Sequence, residues 1–283
     1  IFLDFHRFSI MRTLVLTAIL SVFFLCHVMA QKSGQTDFEI GVSGGVSWYN
    51  GDLNPYGHFS KDYWHESFGV SLRRNLNQRF AVRGQINIGQ ISADDVLSSS
   101  QFQSNRNLNF TSPLYEFAST LEFNFLPFDA LINKKRFSPY SFIGIAGFYF
   151  NPSTIIEGSV YELQPLATEG ESYLRYGISI PFGFGFKLAL TDRIIVSTDW
   201  GLRKTFTDYL DDVSGHYANK EMIRSQRGSL GSVAAALSDR SNETGTTLGG
   251  PNRQRGDIKT NDAYTFLTVG LIYTLYEQKC PAY

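Results

Sequence analysis

Eight stretches of this chain alternate apolar and polar residues over lengths that a soluble strand does not need. In "YGISIPFGFGFKL", Tyr176, Ile178, Ile180, Phe182, Phe184, Phe186 and Leu188 fall on one side of an extended chain. Gly177, Ser179, Gly183, Gly185 and Lys187 fall on the other. Successive side chains of a strand point to opposite faces, so a period of two marks a strand. "FAVRGQINIG" and "YEFASTLEFNF" alternate in the same way. The spacing predicts strands over 38–49, 65–75, 78–91, 113–126, 137–150, 174–189, 192–205 and 263–276. Ordinary strands run to about five or six residues, whereas a tilted strand needs ~9–11 to cross a bilayer.

The polar face of these strands carries Glu39, Arg73, Arg83, Glu116, Glu122, Lys187, Asp199 and Arg203. A membrane barrel turns its apolar face to lipid and its polar face to the lumen. The expected fold is therefore all-β: an eight-stranded antiparallel transmembrane outer-membrane β-barrel with long external loops. In so narrow a barrel the side chains fill the interior. The eight charged residues are expected to pair across the lumen as a closed plug rather than line a channel.

The connections fit the same architecture. "NLNQ" and "LTDR" are short, "LPFDALINKKR" is moderate, and the others are long. Short turns belong to the periplasmic end of such barrels and long loops to the external end. An even strand number then places both termini in the periplasm. The longest loop is an insertion over 206–262, in which "SVAAAL" has the composition of a short helix. Trp48, Tyr49, Trp64, Tyr140, Phe150 and Tyr173 lie near strand ends and are expected to form aromatic girdles. "TVGLIYTLY" near the C-terminus resembles the signal that the barrel-assembly machinery recognises.

"MRTLVLTAILSVFFLCHVMA", residues 11–30, has a basic start, an apolar run and small residues at its end. These are the parts of a cleaved secretory signal peptide. Residues 1–10 read as upstream translation, leaving 31–283 as one exported barrel domain bound for the outer membrane. One cysteine, Cys280, then remains, so no internal disulfide forms. A formal net charge of −1 argues against nucleic acid as a partner.

The stretch "FTDYLDDVSGHY" offers the most candidate chemistry. Asp208, Asp211 and Asp212 lack the alternating oxygen spacing of a calcium loop, so no metal or other cofactor is expected. Asp208, Tyr209, Leu210, Asp211 and Asp212 are expected to form a structural and docking loop at the external rim. One aspartate would accept backbone N–H bonds and the other would pair with Arg203 or Lys204. Ser214 and His216 raise the alternative of a rim-sited hydrolase, but no nucleophile elbow accompanies them. No catalytic residue is assigned, and the chain is read as non-enzymatic. Glu169 is expected in an exposed loop. "RGD" at Arg255–Asp257 is read as a coincidence in a polar loop.

"YNGDLNP", "SPYSFIGIAGFYFNP", "IPFGFGFK", "WGLRKTFTDYLDDVSGHY" and "LSDRS" together resemble the PorG-like family of small outer-membrane barrels, which is associated with the type IX secretion system. The "FTDYLDDVS" segment is the most specific part. The resemblance implies an accessory or anchor of that machinery. Beyond outer-membrane lipids, it implies periplasmic ring proteins of the PorK and PorN type as partners. A general structural or adhesion barrel is the alternative.

Overall fold

The computed structural model describes residues 38–53, 61–130, 134–156 and 158–275. The expected signal peptide, His58, Tyr276 and Cys280 lie outside them. Eight long strands form the barrel: β1 (Phe38–Asn50), β2 (His65–Asn75), β3 (Phe80–Asp94), β4 (Asn109–Asn124), β5 (Phe137–Phe150), β8 (Tyr176–Ala189), β9 (Ile194–Thr205) and β10 (Ala263–Leu275). Each runs antiparallel to its neighbours, and the β3–β4 pairing closes the ring. The short hairpin β6 (Ser153–Ile156) and β7 (Ser159–Glu162) extends from β4 above the barrel. Closure leaves no barrel strand with an open edge, which is what allows a sheet to sit in hydrocarbon.

The faces are inverted relative to a soluble protein. Ile40, Val42, Phe68, Val70, Leu72, Ile86, Ile88, Phe117, Ile143, Ile145, Ile178, Val269 and Leu271 are exposed on the outside, whereas Glu39, Arg73, Arg83, Glu116, Glu122, Lys187 and Arg203 are buried. The outer face is therefore apolar over most of the length of the strands, and the chain is an outer-membrane β-barrel. Among the described residues no helix is long and apolar enough to cross a membrane; the strands do so.

The interior is solid. Glu122 on β4 accepts from Arg73 Nη2 at 3.0 Å and from Lys187 Nζ at 2.5 Å, and Arg83 Nε lies 3.0 Å away. Arg73 also holds Glu39 at 2.8 Å. Arg83 on β3 reaches Asp199 at 2.8 Å on β9, the strand diametrically opposite in the ring. Higher up, Glu116 accepts from Asn87 at 2.6 Å and Tyr264 at 2.8 Å, with Arg203 3.2 Å away. Phe142 fills the remaining space, with its ring 2.6 Å from where a Cβ on Gly201 would stand. The glycine makes room for the ring.

The aromatic girdle is not where strand-end position alone puts it. Tyr49, Tyr140 and Phe150 are buried because each shares the inward parity of its strand. Tyr140 lies under the Lys187 ammonium at 4.4 Å. The outward rings instead include Tyr115, Tyr149 and Tyr176, in register across β4, β5 and β8. Adjacent rings in this row stand 6.1 and 5.1 Å apart. At the short-turn end Phe80, Phe123 and Phe125 cluster. Two such bands are what the two polar interfaces of a bilayer select.

Glu122→Ala leaves Arg73, Arg83 and Lys187 facing one another without their shared anion. Breaking a buried pair costs roughly 3–5 kcal/mol. The variant should lose the heat-modifiable gel shift of the folded barrel at markedly lower urea than the parent. Glu221→Ala, whose carboxylate is exposed in an i,i+3 pair with Arg224, should not.

Candidate functional site

The insertion over 206–262 is not a loose loop. With the connections β1–β2, β3–β4 and β5–β8 it builds a folded cap over the external mouth. The cap contains α1 (Gln101–Arg106), α2 (Lys220–Gln226) and α3 (Gly231–Ser238). Its apolar core joins Leu53, Leu108, Leu166, Leu210, Val213, Ile223, Ala234 and Leu237 to the inward rings Tyr49, Phe110, Phe150 and Tyr264. "SVAAAL" forms most of α3 and packs on this core. Asn219 starts α2 by accepting from the backbone N–H groups of Glu221 and Met222, the usual role of an N-cap.

At the centre of the cap two carboxylates share one tyrosine. Tyr49 Oη lies 2.7 Å from Asp211 Oδ2 and 2.6 Å from Asp262 Oδ1. The other oxygen of each is used as well: Asp211 Oδ1 accepts from Val213 N at 2.9 Å, and Asp262 Oδ2 from Leu210 N at 2.9 Å. One hydroxyl has one proton to donate. Two such contacts to one phenol oxygen therefore call for a proton on one of the carboxyls. Burial pushes both Asp211 and Asp262 up, and neighbouring carboxylates add to the rise.

Asp212 adopts a left-handed backbone, φ 67°, which aspartate tolerates better than most residues. Its oxygens accept from Tyr173 at 2.7 Å and Thr168 at 2.5 Å. Its cation is Arg255, which donates to the Asp212 carbonyl at 2.6 Å. Burial raises the Asp212 carboxyl to about 6, against the opposing pull of Arg255. Tyr209 stacks on Tyr173 at 4.7 Å and Tyr173 on Phe150, so three rings carry the loop onto the barrel wall. Asp208 accepts from the Ser214 hydroxyl at 2.8 Å, and burial raises it to about 7.

Several expectations change here. The five residues Asp208 to Asp212 come together, but Leu210, Asp211 and Asp212 are buried and cannot touch a partner directly. Neither aspartate pairs with Arg203, which points down the lumen to Glu116. Glu169 is not exposed: it accepts from the N–H groups of Ser214 and Gly215 and from Arg255 at 3.0 Å. The "RGD" tripeptide is a structural piece, since Arg255 is buried and Asp257 N donates to Asp52. Ser214 is held by a carboxylate, while His216 is exposed and bridges through its backbone to Gln254. No metal-holding group of three His, Cys, Asp or Glu exists among the described residues.

The pattern gave no warning of Asp262, Arg106 or Asp95. Arg106 holds Asp95 by two bonds, at 2.7 and 2.8 Å, and donates to the carbonyls of Arg255 and Asp52. These partners come from separate connections. The one available signal was the inward parity of Tyr49.

A family described as a domain of unknown function, DUF6089, matches residues 16–235. The chain belongs to this family. The DUF6089 match runs through the barrel from β1 to β9 and ends inside α3 of the cap. A comparison with curated proteins gives no match. Among solved structures the chain is similar to Ail of Yersinia pestis, with 11% identity over 85% of this chain and 99% of Ail, TM-score 0.41. Neisserial surface protein A aligns with 9% identity over 84% and 97%, TM-score 0.39. OprG from Pseudomonas aeruginosa aligns with 9% identity over 88% and 99%, TM-score 0.41. Likenesses this distant carry no statement about function.

The buried carboxyls make the cap sensitive to alkali. Carboxyls raised on folding bind more protons folded than unfolded, so their contribution to stability falls as pH climbs above the unfolded value of about 4. The loss runs through pH 6–7, where Asp52 and Asp212 (each about 6) and Asp208 (about 7) ionise. Limited proteolysis should therefore cut segment 206–262 faster at pH 9 than at pH 5. Asp262→Asn, a neutral stand-in for the protonated acid, should narrow the gap. Identical digestion at both pH values would contradict the shared-proton arrangement.

Proposed function

We propose that this outer-membrane barrel is a non-enzymatic accessory or anchor of the type IX secretion machinery. The observation that carries the reading is the filled lumen. Arg83 reaches Asp199 across the full width of the ring, and Glu122 gathers three cations from three other strands. A barrel sealed in this way acts through its surfaces rather than as a conduit.

The PorG-like resemblance supplies the finer part. Its most specific segment, "FTDYLDDVS", supplies the loop that locks the cap to Tyr49 and Tyr173 through its side chains and to Arg255 through the Asp212 carbonyl. Under this reading the short turns and both termini face the periplasm, toward ring proteins of the PorK and PorN type. The cap faces outward. A structural or adhesion role is the second reading. The exposed apolar side chains Ile155, Val160 and Leu174 around the β6–β7 hairpin favour it, since they offer an external partner surface.

Three measurements test the proposal. An epitope inserted after the exposed Gly245, where an added side chain meets open space, should be labelled on intact cells, and one after Tyr283 should not. Deleting the gene should block export of type IX cargo, and the tagged barrel should retain PorK- and PorN-type proteins after detergent extraction. Normal export together with no ring proteins retained would leave the adhesion reading in its place.

A further inference from the structure

The cap carries a groove of about 590 Å³. That is within the ~300–1,000 Å³ range of small-molecule sites. Three connections far apart in sequence wall it: residues 50–52 after β1, α1 with Ser100 before it, and the 254–261 part of the long insertion. The walls are pinned to one another. Gln103 and Arg106 of α1 both donate to the Asp52 carbonyl, at 2.7 and 3.1 Å. Asp52 Oδ2 accepts from Asp257 N at 2.8 Å. A Cβ on Gly256 would stand 2.2 Å from that carboxylate oxygen, so only a glycine lets the two segments meet.

The groove's cations are already spent. Arg106 is paired with Asp95, and Arg255 with Glu169. Other polar atoms are not. Among the described residues Asp52 Oδ1, Ser100 Oγ, Gln254 Oε1 and the Asn261 side-chain amide meet no protein donor or acceptor, and neither Asp52 nor Asp257 has an ion-pair partner. Beside them the Phe102 ring stays 43% exposed, with the Arg106 guanidinium 5.8 Å from its centroid. Donors and acceptors are thus interleaved next to an open aromatic ring. A hydroxyl is both donor and acceptor, so a ring bearing several hydroxyls satisfies such a wall, and the C–H face of a pyranose packs on an aromatic ring. Two carboxylates without cations repel an acidic sugar.

We propose that this groove binds a neutral or amino-bearing pyranose, with its hydroxyls on Asp52, Ser100, Gln254 and Asn261 and its C–H face against Phe102. The binding chemistry depends neither on the orientation of the barrel nor on secretion.

The test is a saturation-transfer NMR titration of the full chain in tetraethylene glycol monooctyl ether, a detergent that contains no sugar. The probes are the methyl glycosides of glucose, galactose, mannose and glucosamine, each at millimolar concentration. At least one should bind, with saturation strongest on its ring C–H protons, and the methyl glycoside of glucuronic acid should not. Phe102→Ala and Asn261→Ala should each weaken binding roughly threefold to tenfold, the scale of one lost contact. Met222→Ala, exposed on α2 and outside the groove, should leave it unchanged. No binding by any of the four glycosides, or equal binding by parent and both groove variants, would overturn the site. Equal binding of the glucuronide overturns the charge argument and the sugar class with it. Displacement of the bound glycoside by ethylammonium makes the groove a site for organic cations and overturns the sugar assignment. Should Phe102→Ala fail to give a heat-modifiable barrel, Asn261→Ala decides alone, since that side chain is exposed and holds no other part of the cap. Cargo export is measured separately, so a sugar-blind variant with normal export leaves the secretion reading to its own test.

Discussion

A carboxylate sealed away from water governs the barrel. Glu122 stands in the lumen with no exposed surface and takes its compensation from Arg73 on β2, Arg83 on β3 and Lys187 on β8. An isolated buried charge is prohibitive, whereas one with several partners is tolerable. Partners on three strands can meet at one point only if the sheet has closed and the strands are in register. The network therefore ties local charge satisfaction to global closure. A one-residue register slip of β4 alone would turn Glu122 toward lipid and Phe117 and Phe123 inward, leaving Arg73, Arg83 and Lys187 without their shared anion.

The same strands serve two solvents along their length. In the lower part apolar side chains face out and charges face in. Above the tyrosine row the order reverts: β3 and β4 carry Ile91, Ala93, Phe110 and Leu114 inward, and the cap closes over them. The reversal explains the length of these two strands, 15 and 16 residues, against the ~9–11 that a bilayer needs. The extra residues are the floor of the cap. Tyr264 joins the two regions, since its ring packs in the cap core while its hydroxyl donates to Glu116 in the lumen.

The barrel was legible in the chain because its determinants are periodic and local. Alternation in 78–91 and 174–189 placed β3 and β8 within a few residues, and the lumen charges stood out as polar residues at inward parity. The cap was not legible, for a physical reason. Asp211 and Asp262 meet at Tyr49, which lies 162 and 213 residues from them in sequence, and no window of sequence contains such a contact. Strand-end position was a poor guide to aromatic placement, because parity turns some of these rings inward and Trp48, at outward parity, is buried where it stacks on Trp64. Tyr49 and Tyr140 follow parity. Polar composition was an equally poor guide to exposure in loops. Glu169, Asp212 and Arg255 look like solvated loop charges in sequence, yet they neutralise one another inside the cap.

This arrangement separates the most distinctive sequence from the surfaces open to partners. Within "FTDYLDDVS", Leu210, Asp211, Asp212 and Val213 turn inward, on Tyr49, Tyr173 and the apolar core, so these residues shape the cap without forming its outer face. What the molecule presents is different at each end. Outside, the cap offers polar helices and the apolar edge around Val160 and Leu174. At the short turns the described residues include Arg74, Arg79, Lys134, Lys135 and Arg136, with Lys134 and Arg136 paired to Asp192. A filled lumen cannot relay anything between the two ends by transport. Any coupling between them must pass through the wall, where Glu116, Tyr264 and the cap core form a continuous path from the lumen ion pairs to the outside.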